Sequence, residues 1–533
     1  MRIYFFIVLT CITMVLFSCA DHGGIGHEGE ARITGQLILT DGTSASQTRV
    51  ELFPQDYDPV KKTGNVTLEM TNAQGAFEFS RVAPGQYTVY AVHNKNRTKV
   101  LISGIEVLED STVEISTHVL QKSGAMKVFF PSSIQPKDGY VYIPGTKNFA
   151  YINSQADFVV IDSVPPGIIP EVAYSAEDEV IPQTLRYNVS VRSNDSAIVF
   201  NSTWKYCCQL VLNTTVSGAA VSSNVINFPV CIKLTSNNFA FDQARADGAD
   251  VRFSKMDNTA LPYEIEYWDT DKKLAAVWVN IDTVFGNNDS QSVMMYWGSN
   301  DATSESNSAA VFDTANGYTG VWHLNRQSTD ASHNKNNGIL CSASDTTGVI
   351  GLCKRFNGSD SVLIPGLLGS QGSITLSAWA QLDSTITGGG SDILSIGDAV
   401  LIRMDYEKDS LGTIGSIHVS EGTYFTNTSS NRFYKKSGWH LVTFIIDQSN
   451  LTRALYIDGQ IVNLITNTNV AINYTGVGKN TYIGKHANGK ANFGFIGRID
   501  EVRVHQGAVS ADYIKLSYMN QKEKDALVTF RKN

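Results

Sequence analysis

The sequence has little charge, little proline and few cysteines for its length. Charged residues make up 17% of the 533 residues and apolar residues 42%, which excludes an intrinsically disordered chain and supports buried cores. The net charge of −9 argues against a nucleic-acid-binding protein that works by neutralising phosphates. Only 13 prolines accompany 43 glycines, and aromatic residues reach 10%, a combination that favours many strands joined by tight turns.

The motifs of several enzyme classes are also missing. The chain has no Gly-x-Ser-x-Gly elbow, phosphate-binding loop or His-Glu-x-x-His motif. A retaining glycoside hydrolase needs two carboxylates about 5 Å apart, and residues 312–520 contain no Glu-x-Asp-x-Glu strand to supply them. We expect the adjacent Asp500 and Glu501 on opposite faces of a strand, and interpret Glu264 and Glu266 as the solvated side of another. The sequence therefore predicts a protein without catalytic activity.

Helical periodicity is almost absent. Nearly every readable segment alternates apolar and polar residues between turn-forming residues, as in residues 50–53 and 87–91, and one short helix is expected near 510–519. At roughly 150 residues per domain, the length predicts three to four domains. The fold class is therefore predicted to be all-β and multidomain.

The N-terminus has the pattern of a secretory signal. A single charge, Arg2, precedes an apolar run over residues 3–17 that is too short for a stable membrane span. Ser18 before Cys19 resembles the bacterial lipobox, which implies lipidation of Cys19. Because Ala20 rather than aspartate follows, the resemblance implies anchoring to the outer membrane, facing the periplasm or the cell exterior. The alternative is an ordinary signal peptide that is cleaved elsewhere.

Five cysteines remain after the lipobox cysteine: Cys207, Cys208, Cys231, Cys341 and Cys353. This is an odd number in a compartment that permits disulfides. We favour a Cys341–Cys353 disulfide because the two residues bracket a short loop. Cys231 could pair with Cys207 or Cys208, which would leave one thiol over. The spacing supports neither a zinc site nor thioredoxin-type chemistry.

An internal repeat appears in the N-terminal half. Residues 72–79 form a turn and a strand that lead to a Pro-Gly turn at 82–85, and residues 153–160 lead in the same way to 164–167. The first copy resembles the carboxypeptidase-regulatory-like sandwich, an immunoglobulin-like module. The resemblance implies two sandwiches, the second more diverged, that serve as a stalk.

The C-terminal half carries two further resemblances. One succession of segments resembles a bacterial domain of unknown function that often precedes a laminin-G-like jelly roll: residues 228–234, 247–253, 261–268, 276–279 and 295–298. A second succession resembles the concanavalin A-like, laminin-G-type jelly roll itself: residues 321–324, 330–338, 355–360, 374–379, 438–444, 455–459 and 495–504. The first family brings no established chemistry.

Together these patterns predict immunoglobulin-like sandwiches followed by a concanavalin A-like jelly roll. The predicted order is a lipoprotein signal peptide (1–18), a tether (19–30), a carboxypeptidase-regulatory-like sandwich (31–119), a second sandwich (120–203), a β domain of unknown function (204–311), a laminin-G-like jelly roll (312–520) and a C-terminal tail (521–533).

The jelly-roll resemblance also suggests a structural calcium ion. Asp500 alternates with Val502 and Val504, so on a buried face its carboxylate needs a cation or strong donors. Jelly rolls of this type often place calcium near such a position, and Asp330, in a polar loop, is the expected second ligand. The alternative is that Asp500 accepts backbone N–H groups or pairs with an arginine.

Sugar binding on such folds uses exposed aromatics and amides, because rings stack on pyranose faces. Trp379 and Trp439 lie in alternating apolar strands and are interpreted as core. The candidate ligand residues lie in loop-rich stretches: Tyr424, Phe425, Tyr434, His486 and Asn492.

The sequence therefore predicts a monomeric, non-catalytic cell-surface lipoprotein that binds a glycan or cell-surface polymer through its jelly roll. The lipid anchor is its one expected contact with the membrane, and nucleic acid is not an expected partner. One alternative is a structural adhesin that binds protein through a larger, flatter apolar patch. A further alternative is a glycoside hydrolase whose carboxylates converge from distant positions.

Overall fold

Strands make up nearly all of the regular structure. The computed structural model describes residues 31–531 apart from residues 131–136, 157, 178–180, 200–203, 369–371 and 421–423 and the side chains of residues 340, 341, 420 and 424. Within this part of the chain there are 36 strands and two α-helices, so the prediction of an all-β, multidomain chain is confirmed. The predicted signal peptide, the tether and Cys19 lie outside the described residues.

Residues 31–56 and 64–120 form a compact unit of two sheets. Its strands are β1 (Arg32–Ile38), β2 (Thr48–Pro54), β3 (Thr67–Met70), β4 (Ala76–Ser80), β5 (Gly85–His93), β6 (Lys99–Val107) and β7 (Thr112–Val119). One sheet has the order β4-β1-β7, with β1 and β7 parallel, and the other has the order β3-β2-β5-β6. Alternate side chains of these strands, Ile33, Val50, Phe79 and Val89 among them, fill the core between the sheets.

The turn before β4 shows why the repeated sequence pattern forms this structure. The side-chain oxygen of Asn72 accepts from the backbone N–H groups of Gln74 and Ala76, which closes an Asx turn. Gly75 has a φ of 76°, and a Cβ at this position would lie 2.3 Å from the carbonyl oxygen of Leu37. Glycine is therefore required here.

The second compact unit comprises residues 57–63 and 121–533, and its first seven strands have the strand order of the N-terminal unit. They are β8 (Gly124–Phe129), β9 (Gly139–Tyr142), β10 (Phe149–Ile152), β11 (Phe158–Val164), β12 (Gly167–Ala176), β13 (Gln183–Val191) and β14 (Ser196–Val199). Their sheets run β11-β8-β14, with β8 and β14 parallel, and β10-β9-β12-β13. The two sequence repeats thus place β4 and β11 at equivalent sheet positions.

Residues 204–311 build two more sheets, and the chain terminus completes one of them. The strands are β15 (Tyr206–Leu212), β16 (Val225–Thr235), β17 (Arg252–Lys255), β18 (Tyr263–Asp269), β19 (Leu274–Val284) and β20 (Ser292–Trp297). One sheet has the order β16-β19-β18. In the other, β17-β20-β15, the last strand of the chain (Val528–Arg531) pairs with β15. The expectation of a C-terminal tail over 521–533 is corrected accordingly, because Leu527 is wholly buried in the core of these sheets.

The remaining strands form two large facing sheets. They are β21 (Tyr318–Trp322), β22 (Ile339–Cys341), β23 (Ser344–Thr347), β24 (Leu352–Asn357), β25 (Ser361–Ile364), β26 (Ile374–Ser384), β27 (Ser391–Ile396), β28 (Val400–Tyr406), β29 (Gly412–Ser420), β30 (Tyr424–Ser429), β31 (Trp439–Asp447), β32 (Thr452–Ile457), β33 (Gln460–Ile465), β34 (Thr481–Ile483) and β35 (Ile496–Gln506), followed by the terminal strand β36 (Val528–Arg531). The first jelly-roll sheet is β23-β24-β35-β26-β31-β32-β33, with β21 also on β35. The second jelly-roll sheet is β22-β25-β34-β27-β28-β29-β30. One apolar core lies between them.

Two α-helices and three short 3₁₀ helices complete the described part of the chain. The helices are α1 (Ser308–Val311) and α2 (Ala511–Gln521), and the 3₁₀ turns span Phe241–Gln243, Thr314–Asn316 and Ala491–Phe493. The hydroxyl of Ser510 caps α2 by accepting from the N–H of Tyr513. Ile514 of α2 packs on the first jelly-roll sheet, while Leu516 enters the core of residues 204–311. No helix among the described residues has the length and apolar character needed to cross a membrane.

The position of Leu527 generates a stability prediction. Replacing Leu527 with alanine should destabilise the sheet β17-β20-β15-β36 by about 2–5 kcal/mol, because the change leaves a cavity in a filled core. Hydrogen exchange followed by mass spectrometry should show faster exchange in β15 and β20. The matched control is Thr529→Ala, at an exposed position of β36. Equal exchange in the two variants would contradict a structural role for the terminus.

Candidate functional site

Three strands bring titratable side chains to one point between residues 204–311 and the first jelly-roll sheet. β18 carries Glu264 and Glu266, His323 directly follows β21, and β35 carries Glu501. The surrounding contact is apolar and includes Trp278 of β19, which lies in a buried cluster with residues from the jelly roll. The four titratable residues are called the His323 cluster below.

A β-bulge in β35 determines which side chains reach the cluster. Between its pairings with Ser377 and Trp379 of β26, β35 contains one extra residue, and Glu501 has a φ of 50°. Ile499 and Val502 face the jelly-roll core on either side of the bulge. Asp500 therefore does not share the face of Val502, and Asp500 and Glu501 are both buried outside that core. The expectation that Asp500 alternates with Val502 is wrong because the bulge shifts the alternation by one residue.

His323 lies between three carboxylates. Its Nδ1 is 2.6 Å from Oε1 of Glu501 and 3.5 Å from Oε2 of Glu266, while its Nε2 is 3.2 Å from Oε2 of Glu264. The ring also stacks on Trp278 with centroids 5.9 Å apart. The two ring nitrogens thus contact carboxylates on different strands, β35 and β18.

Neighbouring donors hold the carboxylates in place. Nη2 of Arg503 donates to Oε2 of Glu501 at 2.7 Å, and the Arg503 guanidinium lies 4.4 Å from the centre of the Trp278 ring. Nε1 of Trp278 donates to Oε2 of Glu266 at 2.7 Å. One oxygen of Glu501 is thus held by a side chain of the same strand, and one oxygen of Glu266 is held by a side chain of the adjacent strand β19.

Burial and proximity shift the pKa values in different directions. Burial alone would lower the pKa of His323, but the charges of Glu501, Glu264 and Glu266 outweigh it and raise this pKa well above its usual value. For Glu501, burial alone would raise the pKa, but the positive charges of His323 and Arg503 and their hydrogen bonds hold this pKa below its usual value. Burial and the charge of Glu501 raise the pKa of Glu266 well above its usual value. In this arrangement Glu501 is the ionised partner of His323 and Arg503.

One oxygen of the cluster is buried without a hydrogen-bond partner. The side chain of Glu266 is 1% exposed, and its Oε1 has no donor in the described structure. Beside it, Glu264, Glu266, His323 and Asn325 line a cavity of about 300 Å³. A buried polar atom without a partner is rare in folded proteins and calls for an explanation.

This geometry corrects the interpretation of β18. Glu264 and Glu266 were expected on a solvated face, and that expectation is wrong because both side chains lie against His323. Ligand atoms of Glu266, His323 and Glu501 lie within 4.8 Å of one another. Buried carboxylates and an imidazole at these separations can share a proton or bind a cation.

The residues predicted to bind calcium are held by backbone and side-chain donors. The carboxylate of Asp330 accepts from the N–H groups of Val321, Ser332 and Asn336 at 2.8–2.9 Å and from the Ser332 hydroxyl. Asp500 accepts from three backbone N–H groups at 2.8–3.1 Å: those of Val349, Ile350 and Glu501. This is the alternative arrangement considered for Asp500, and calcium at either residue stays a prediction.

The five predicted sugar-binding residues divide into different environments. Phe425 lies in β30 with 40% of its surface exposed, and Asn492 is exposed in a 3₁₀ turn. Tyr434 and His486 are only 5% and 4% exposed, so they lack the exposure expected of a sugar-binding residue. Tyr434 packs on His440, and His486 packs on Phe493. The side chain of Tyr424 lies outside the described residues.

The two tryptophans that were interpreted as core differ in burial. Trp379 is 2% exposed, stacks on Tyr518 and donates from Nε1 to Oε1 of Gln521, so α2 covers it. Trp439 is partly buried at the start of β31.

The cysteines give no evidence for the predicted disulfides. Cys353 is a buried free thiol whose Sγ lies 3.4 Å from the carbonyl oxygen of Thr347, and the side chain of Cys341 lies outside the described part of the chain. Their pairing therefore stays a prediction. Cys231 is a buried free thiol in β16, and burial raises its pKa well above the usual value.

Sequence reasoning did not predict that Glu264, Glu266 and His323 would form a cluster with Glu501, or that Arg503 would pair with it. One available signal was the pair of acidic residues two positions apart on a strand that begins and ends with buried tyrosines, Tyr263 and Tyr267. Neither this pair nor the segment 321–324 indicated that they would meet, because the contact is made between distant strands.

The residues of the His323 cluster lie in two regions of the chain that match different protein families. Residues 247–325 match the family described as "Domain of unknown function (DUF2341)", which includes β18 and His323. Residues 356–515 match the "Concanavalin A-like lectin/glucanases superfamily", which includes β35. The chain thus contains a concanavalin A-like domain. No curated protein matches the chain significantly.

Several solved structures are similar to part of the chain. Domain 4 of AbnA, a GH43 extracellular arabinanase from Geobacillus stearothermophilus in complex with arabinotriose, is 18% identical over 37% of this chain and 97% of its own, with a TM-score of 0.32. The binding domain of Paraclostridial Mosquitocidal Protein 1 is 13% identical over 38% of this chain and 52% of its own, with a TM-score of 0.31. A pentraxin from Limulus polyphemus is 13% identical over 31% of this chain and 80% of its own, with a TM-score of 0.24. The chain spans about half the length of the mosquitocidal domain, and scores of this size carry no argument about function.

Proposed function

We propose that this chain is a bacterial surface lipoprotein whose C-terminal jelly roll binds carbohydrate without cleaving it. The observation that carries the proposal is the match of residues 356–515 to the concanavalin A-like lectin and glucanase superfamily. We propose binding and not hydrolysis because two neighbouring carboxylates of the first jelly-roll sheet are inaccessible. Asp500 and Glu501 are at most 1% exposed, so a polysaccharide does not reach them in this structure.

The second jelly-roll sheet offers a suitable binding surface. Phe425 of β30 exposes its ring on the side facing away from the core, and His418 of β29 packs against that ring with centroids 4.7 Å apart. His418 is 2% exposed and is the cross-strand partner of Phe425, so it packs beside the Phe425 ring. An exposed aromatic ring is the kind of group on which a pyranose face stacks.

This surface generates a binding prediction. Phe425→Ala should weaken glycan binding about tenfold or more, which corresponds to about 1.4 kcal/mol, because the stacking platform is lost. The detergent-solubilised full chain is first screened on a glycan array with and without calcium, and hits are then titrated by calorimetry. Calcium dependence of the hits would support the proposed structural calcium ion.

The matched control is Phe433→Ala. Phe433 is 45% exposed, comparable to Phe425, but follows β30 instead of lying on its outward face. This variant should bind as the unchanged chain does. Equal weakening by both substitutions, or an array without hits, would contradict glycan binding at the second jelly-roll sheet.

A protein partner is the second candidate because one edge strand exposes apolar side chains. In β33, at the edge of the first jelly-roll sheet, Ile461 and Leu464 are 49% and 52% exposed. Exposed apolar edge strands pair with other chains unless they are protected. Retention of a cell-surface polypeptide, sensitive to Leu464→Lys and insensitive to Phe425→Ala, would favour this function.

The proposed lipid anchor rests on the sequence around Cys19. The sandwiches between the anchor and the C-terminal half would serve as a stalk that separates the binding surface from the membrane. We propose the outer membrane as the anchoring site and a monomer as the state of the protein.

The anchor is tested by a single substitution. Cys19→Ala removes the acceptor thiol, so the protein should move from the membrane fraction to the soluble fraction of fractionated bacteria. Ser18→Ala is the control, because it keeps both a small residue and the cysteine. Unchanged membrane association of Cys19→Ala would contradict lipidation at this residue.

A further inference from the structure

The His323 cluster brings three potential metal-binding side chains close together. Nδ1 of His323 lies 2.6 Å from Glu501 Oε1 and 3.5 Å from Glu266 Oε2, and ligand atoms of all three residues lie within 4.8 Å of one another. Zinc–nitrogen and zinc–oxygen bonds of about 2.0–2.2 Å place tetrahedral ligand atoms about 3.3–3.6 Å apart. The contact between His323 and Glu501 is shorter than this, and the other ligand atoms lie up to 4.8 Å apart. Small changes of the side-chain torsion angles would bring one donor atom of each residue into coordination distance.

A second observation, independent of the cluster itself, points to a ligand. Oε1 of Glu266 is buried and has no hydrogen-bond donor, although Oε2 of the same carboxylate accepts from Trp278. The side chain is 1% exposed, so water outside the protein does not satisfy this atom. A coordinated cation would give the oxygen the partner that the polypeptide does not supply.

We propose that His323 through Nδ1, Glu266 through Oε1 and Glu501 through Oε1 bind a divalent transition-metal ion of the Zn²⁺ class. The site would join a strand of the DUF2341-matching region to a strand of the concanavalin A-like domain. Its role would be structural, because two of its three ligands come from β18 and β35, which belong to different sheets.

Groups around the three ligands have the arrangement of an outer coordination shell. Nε2 of His323 faces Glu264 at 3.2 Å, so it can donate its proton there while Nδ1 binds a metal. Trp278 donates to Oε2 of Glu266 and Arg503 donates to Oε2 of Glu501, so neither donor occupies the Oε1 atom of its carboxylate. Metal-binding histidines usually have such a carboxylate partner on their second nitrogen.

The charge of the site also favours a dication. Three carboxylates, those of Glu264, Glu266 and Glu501, surround His323, and Arg503 pairs with Glu501. Metal binding at Nδ1 replaces the proton of His323 with a charge of +2 and so offsets the excess of acidic groups. The imidazole nitrogen and the small number of oxygen donors favour Zn²⁺ or Mn²⁺ over Ca²⁺, which takes six to eight oxygen ligands.

Calorimetric titration of the full chain tests the proposal. The detergent-solubilised protein, stripped with a chelator, is titrated with Zn²⁺, Mn²⁺, Ca²⁺ and Mg²⁺. We expect one Zn²⁺ or Mn²⁺ to bind per chain and to raise the midpoint of thermal unfolding. Glu266→Gln should weaken binding by more than about a hundredfold, and Glu264→Gln by about 10–100-fold, the range known for outer-shell partners.

His486→Asn is the matched control, because His486 is also a buried histidine beside a carboxylate, that of Asp398, but lies in the second half of the jelly roll away from β18. It should leave the affinity unchanged. Glu266→Gln keeps the size of the side chain and an acceptor for Trp278, so its folding can be verified by circular dichroism in the presence of chelator. Absence of Zn²⁺ and Mn²⁺ binding, or equal affinity in the folded Glu266→Gln variant, would overturn the proposal. Loss of binding in His486→Asn alone would also overturn it, since the metal would then bind elsewhere.

Discussion

Opposite charges buried between β18 and β35 determine how residues 204–311 fit against the jelly roll. Burying an ion is costly unless a partner of opposite charge and hydrogen bonds compensate it, and His323 and Arg503 do this for Glu501. The apolar contact around Trp278 and Phe312 supplies area but little directional preference. The two ring nitrogens of His323 contact carboxylates on two strands, β18 and β35. A shift of one strand relative to the other would break these contacts and leave buried charges without partners.

The bulge in β35 is what makes this contact possible. In a regular strand, successive side chains point to opposite faces, so either Asp500 or Glu501 would point into the apolar core of the jelly roll. The extra residue lets Ile499 and Val502 fill the core while both carboxylates stay outside it. Asp500 is then satisfied by backbone N–H groups and Glu501 by His323 and Arg503. One inserted residue thus allows β35 to point apolar side chains into the core and both carboxylates away from it.

The same bulge shows how far sequence reasoning reaches. Period-two alternation predicts the strands and the all-β class, and the order of segments such as 374–379 and 438–444 predicts the jelly roll, because these signals are local. The His323 cluster depends on contacts between residues about 180 positions apart, and the pairing of β36 with β15 spans more than 300. The burial of Tyr434 in the jelly-roll core and the packing of His486 on Phe493 likewise depend on tertiary contacts. No local pattern encodes such distances.

The two sheets of the jelly roll therefore differ in what they leave accessible. On the first sheet, Tyr456 is covered by Ile514 of α2, and Trp379 is covered by the C-terminal end of the same helix. The strand β35 of that sheet is occupied by the contact with residues 204–311. The outward side of the second sheet near Phe425, and the edge strand β33, keep exposed apolar side chains. The contact between residues 204–311 and the jelly roll therefore also limits the surface of the first sheet that a partner could reach.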